Sequence, residues 1–189
     1  MSIESFITWL GETKWSVALH ESLYMYTYIE AAHVLGITLF AGTIFMVDLR
    51  LLGLAFRGVK VSQMNDRILP WTVAGFVLMV VTGVLLFYAV PVRTFHSVWF
   101  RAKMIAMLVA GVNIAIYTFH VERNRAEWDE APRPPAGARI AAVLSLTMWT
   151  VVIVTGRMIA YNWYDCDKPQ PRFIEAFAGC RAVPGYVPE

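Results

Sequence analysis

LYMYTYIEAAHVLGITLFAGTIFMV (residues 23–47) is an apolar run in which only Glu30 and His33 can carry charge. A transmembrane helix needs about 20 mostly apolar residues. The run therefore predicts a membrane span with one imidazole near its middle. Ionisable groups are costly in hydrocarbon and mark a protein interior, a partner or a cofactor.

Three further stretches read the same way. Residues 68–92 and 104–119 carry no charge, and 140–156 is charge-free and continues past Arg157. The spans are expected near 22–48, 69–91, 97–120 and 138–162. Gly36, Gly42, Gly75, Gly83, Ala106, Ala110, Gly111, Ala141 and Ala142 across the four stretches suit close helix packing in lipid. The chain has 189 residues, 58% hydrophobic and 16% charged, against about a quarter charged in soluble domains. A net charge of +2 gives no argument for nucleic acid.

The N-terminus lacks the basic start and small-residue cleavage site of a signal peptide. Instead Ile3, Phe6, Ile7, Trp9, Leu10 and Trp15 alternate with Glu4, Ser5, Glu12 and Lys14, the pattern of a helix lying in the membrane interface. The expected fold is all-α, a polytopic membrane protein with a four-transmembrane-helix up-down bundle and an N-terminal interfacial helix. It forms a single membrane domain: 1–21 interfacial, 22–162 the bundle, 163–189 a tail.

Basic residues accumulate on the cytoplasmic side. The first and third loops hold Arg50, Arg57, Lys60, Arg67, Arg123, Arg125, Arg133 and Arg139; the N-terminus, second loop and tail hold Lys14, Arg93, Lys168, Arg172 and Arg181. Both termini are then expected in the periplasm of a bacterial inner membrane. Cys166 and Cys180 share the tail. On an oxidising side they read as a disulfide; on the cytoplasmic side they would be two unpaired thiols.

At ~1.5 Å per residue, His33 lies near mid-bilayer, and Glu30, Arg101, Lys103 and Arg157 share the outer half. Two accounts stand. In one, the cations snorkel to the headgroups or pair with Glu30, and His33 bonds to Glu30 or a carbonyl. In the other, His33 is the axial ligand of a haem b, and Arg101, Lys103 or Arg157 meets its propionates. A second axial position falls to Lys103, Met79, Met107 or nothing.

His20 and His96 at the outer boundary read mainly as exposed interfacial histidines, and His120 as the same at the other end. The His20–His33 spacing of 13 residues resembles two haems stacked along a helix, but no second deep histidine supports it. With Met25 and Met158, His20 and His96 give a copper-handling alternative. Glu30-x-x-His33 is half of a di-iron carboxylate motif, which needs a second such unit.

IEAAHVLGITLFAG (29–42), DLR (48–50) and WFRAK (99–103) resemble the four-helix membrane haem proteins of the bacterial protoporphyrinogen oxidase type and their copper-resistance D relatives. The resemblance implies haem binding by His33 and a functional role for Lys103. Arg101 stands where that family has a second histidine, and the cysteine-bearing tail is not a family feature. The implied function is electron transfer between a quinol or porphyrin-like donor and a periplasmic or membrane partner. The alternative is a non-redox anchor or assembly subunit. The partners implied are the lipid bilayer and a redox protein or quinone, in a complex or homo-oligomer.

Overall fold

The computed structural model describes residues 3–131, 133–161, 163–183 and 185–186. Every regular element among them is helical: α1 (Ile3–Gly11), α2 (Lys14–Glu21), α3 (Leu23–Leu51), α4 (Val61–Ala89), α5 (Pro91–Phe95), α6 (Val98–Ile116), α7 (Ala136–Met158) and α8 (Arg172–Ala178). α6 continues through a π-helical turn, Tyr117–Val121, and a 3-10 segment, Glu122–Glu127. α3, α4, α6 with this extension, and α7 are long and apolar enough to cross a membrane. Apolar side chains such as Leu35, Val84, Leu108 and Ile140 stay exposed along them. Helices that close their own backbone hydrogen bonds while exposing apolar side chains suit a lipid solvent. The protein is thus an all-α membrane protein of the four-helix type.

Two boundaries differ from expectation. The N-terminal segment forms two helices, because Thr13 is extended and its hydroxyl caps α2 by accepting the Ser16 N–H at 3.3 Å. The second span begins at Val61, eight residues before 69. Its first turns are polar and invisible to a hydropathy reading. Asp129 makes them helical from outside: its carboxylate accepts the Ser62 N–H at 2.7 Å and the Ser62 hydroxyl at 2.5 Å. That satisfies donors which every helix start leaves orphaned.

Two compact units divide the chain. One comprises Met1–His33, Val80–Met104 and Val154–Glu189; the other comprises Val34–Met79 and Ile105–Ile153.

In the second unit α3 and α4 approach with their backbones nearly touching. A Cβ on Gly75 would lie 2.7 Å from the Phe40 nitrogen, the close contact small residues permit in membranes. Phe40 packs at a tilt against Phe76, ring centres 5.5 Å apart, and makes an edge-to-face contact with Trp149 at 4.6 Å. Asn113 ties α6 to α7 by donating to the Ala141 carbonyl at 2.9 Å. Leu51, Val61, Ala138 and Ala142 form a small buried core, with Tyr117, Val121 and Trp128 packed against it.

In the first unit α1 and α2 are tied to the end of α4. Thr13 and the Tyr88 hydroxyl are 2.7 Å apart, and the Ser16 hydroxyl donates to the Tyr88 carbonyl at 2.7 Å. Ile7 and Leu19 are buried, while Ile3, Phe6, Trp9 and Trp15 are exposed. The disulfide Cys166–Cys180 closes the tail, its sulfurs 2.00 Å apart. Ala178 and Cys180 pack beside it in a small core with Val98, Val183 and Tyr186. Gly179 sits at φ 72°, a left-handed turn that ends α8 at low cost only for glycine. Arg93 fastens the tail through Asp165 at 2.9 Å.

Candidate functional site

All seven candidate residues, His20, Glu30, His33, His96, Arg101, Lys103 and Arg157, belong to the first unit. The structure gives them different surroundings.

His33 is half-buried on α3. Its Nδ1 lies 2.9 Å from the Thr82 hydroxyl on α4. Thr82 is thus a partner of His33 beside the Glu30 or carbonyl expected of a packing histidine. The ring lies flat on α4 because residue 83 is glycine: a Cβ there would be 3.1 Å from His33 Cε1. Thr82 itself is buried. In the tautomer protonated at Nδ1 the ring donates to Thr82, and the lone pair resides on Nε2. An outer hydrogen bond of this kind orients ligating imidazoles in metalloproteins.

Glu30 is exposed, one turn from His33, and has no ion pair among the described residues. Its expected pairing with Arg101, Lys103 or Arg157 is not formed there.

Arg101 is drawn to the tail. Its Nη1 donates to the Phe177 carbonyl at 2.6 Å, its Nε to the Phe95 carbonyl at 3.2 Å, and its guanidinium lies over the Phe95 ring at 5.3 Å. Arg157 is exposed, its guanidinium 5.3 Å from the Tyr161 ring centre.

Lys103 runs against α7 where residue 156 is glycine. Its Nζ is 3.5 Å from the place a Cβ would occupy. The ammonium has no hydrogen bond or ion pair among the described residues. Four residues earlier, Trp99 meets Tyr164 at a tilt, ring centres 5.9 Å apart. Its indole N–H is buried without an acceptor.

The reading of His96 as an exposed interfacial histidine is corrected. It is 5% exposed, its Nδ1 2.9 Å from the Val92 carbonyl, packed on Phe95 and under Gly179. The folded tail covers it, which the chain before residue 163 does not foretell. His20 and His120 are exposed as expected. Among the described residues no three His, Cys, Asp or Glu side chains gather as a metal-ion site, so His20 and His96 make no such cluster.

Sequence reasoning passed over Thr82, read Gly83 only as a helix-packing residue, and gave Trp99 no role of its own within WFRAK. Thr82 and Gly83 stand out in hindsight as a polar and a small residue adjacent in the charge-free stretch 68–92. Arg50 was counted as a loop cation but lies in the last turn of α3, fully buried. Its Nε donates to the Val59 carbonyl at 2.6 Å, and its Nη2 reaches the Ala131 carbonyl at 3.3 Å and that of Asp129 at 3.5 Å. Asp48, also buried, is held by Ser145 and leaves Oδ2 without a partner.

The fold and these surroundings define an integral membrane protein with a polar cluster embedded in apolar helices. Residues 3–162 match the model of a family of unknown function, DUF6644, and the chain belongs to that family. No curated protein and no solved structure matches it.

Proposed function

We propose that the protein is a membrane-embedded b-type haem protein. Its role would be to carry electrons between a quinol or porphyrin-like donor and a periplasmic or membrane partner, as the resemblance to the protoporphyrinogen oxidase and copper-resistance D type suggests. The observation that carries this reading is the setting of His33. It is a membrane histidine oriented through Nδ1 by Thr82 and laid against Gly83, in the unit that also holds Lys103, with no ion pair among the described residues, and Trp99, whose indole N–H is buried without an acceptor. These residues fit a haem: His33 would ligate through Nε2, and the unused donors suit a carboxylate-bearing ring. The haem would supply the one-electron chemistry; the chain would set its position and potential. The Cys166–Cys180 disulfide supports a tail on the oxidising side, hence periplasmic termini in a bacterial inner membrane.

A reduced-minus-oxidised spectrum of the purified protein tests this. A Soret band that His33→Ala abolishes is expected, with Thr82→Val weakening haem retention. A colourless, well-folded preparation overturns the reading. The second reading, a non-redox anchor or assembly subunit, draws on the Thr82 bond as a helix lock and on Arg101 and His96 serving the tail. Co-purification with a fixed partner and no bound iron would favour it.

A further inference from the structure

WFRAK (99–103) places three polar side chains within little more than one turn, and the fold sends them apart. Arg101 is satisfied by the carbonyls of Phe95 and Phe177. Trp99 and Lys103 are four residues apart, so they share a face of α6 about 6 Å apart along its axis. On that face the indole N–H is buried with no acceptor. The ammonium lies over the bare backbone of Gly156 with no anion among the described residues.

A buried donor left unmade costs about 1–3 kcal/mol, and more when charged. The indole N–H is one such donor, and a half-buried ammonium without a counter-ion on the same helix face points with it to an absent acceptor. The acceptor must be anionic, to answer the ammonium. It must also offer a second oxygen to the indole, which a carboxylate does. Lys103 runs along α7 at Gly156, at ordinary contact distance from where a Cβ would stand. Tyr164 meets the indole at a tilt, ring centres 5.9 Å apart.

We propose that Trp99 and Lys103 jointly hold a propionate carboxylate of the bound porphyrin, Lys103 as the ion-pair partner and Trp99 as the hydrogen-bond donor. This rests on the haem reading above. It assigns the propionate to a pair that includes Trp99 and excludes Arg101, whose Nη1 is engaged by Phe177 in the tail and whose Nε is engaged by Phe95 in α5.

The test uses the full-length protein in detergent, with haem transfer to excess apomyoglobin as the readout. Trp99→Phe, which keeps the ring on Tyr164, and Lys103→Met are each expected to speed haem loss about tenfold, one lost charge-assisted bond each. Lys103→Arg should stay within about twofold of wild type. Wild-type protein reconstituted with haem dimethyl ester, which lacks the carboxylates, should lose its ligand about as fast as the variants, whether or not they fold well. A haem-bearing wild type whose variants, and whose dimethyl ester form, release haem at the wild-type rate overturns this proposal and leaves the haem reading standing. A colourless wild type overturns both.

Discussion

Arg50 and Lys103 are both cations at the ends of apolar helices, and their surroundings differ in kind. Around Arg50 the chain meets most of the charge, through Nε and Nη2, and leaves Nη1 buried without a partner. Two loops turn the carbonyls of Val59, Asp129 and Ala131 toward a guanidinium with no exposed surface. Asp129 at the same place caps α4, and Lys60 pairs with Glu130 at 2.5 Å. Around Lys103 the chain supplies a glycine, and no acceptor among the described residues. A planar five-donor group suits the binding of several carbonyls, whereas a compact ammonium suits a single anion. The contrast teaches that polar groups in this protein fall into two sets. One, with Arg50, is met mostly by carbonyls of the chain itself and serves folding. The other is left open, and open polar groups in a membrane protein point to a ligand.

The comparison is most exposed to test at Arg50. Arg50→Leu should strip donors from loop carbonyls and cost about 3 kcal/mol or more, read as a large fall in thermal unfolding temperature in detergent. Arg50→Lys should rescue little of it. An unchanged melting temperature would erase the distinction. The tail is next. Cys166→Ser with Cys180→Ser should loosen residues 166–180 by an amount on the order of 3 kcal/mol, seen as faster hydrogen exchange there and in α8. Third, Asp129→Ala should cost about 1–2 kcal/mol by uncapping α4, with exchange rising at residues 61–64. Lys103→Met should leave the melting temperature of haem-free protein nearly unchanged. A large loss would mean that the ammonium is a folding group after all.

The smallest effect concerns Lys60. Its hydrogen bond to Glu130, aided by that carboxylate's charge, raises the ammonium above its usual value of 10.5. A raised lysine contributes below 10.5 and ceases to as pH climbs through the folded value. The exposed link should therefore vanish only in strong alkali, and Lys60→Met should remove just that alkaline sensitivity.

Much of the architecture was legible in residues 23–47 and their three counterparts, because hydrocarbon demands long apolar helices and nothing else closes the backbone so simply. The tail disulfide followed from two cysteines in one polar segment. His33, Glu30, Arg101, Lys103 and Arg157 were legible as a set because each breaks an apolar run. Their partners were not. Thr82 meets His33 across 49 positions, and Phe177 meets Arg101 across 76; no local pattern encodes such pairings. The polar start of α4 was missed because its cap, Asp129, lies 67 positions away.

What the sequence alone determined is the solvent, four apolar spans for lipid, and which side chains that solvent would make expensive. Which of those groups were answered, and which stayed open, was decided by tertiary structure. Satisfaction of a buried donor depends on what lies within about 3 Å of it, and in this chain those atoms come from distant segments.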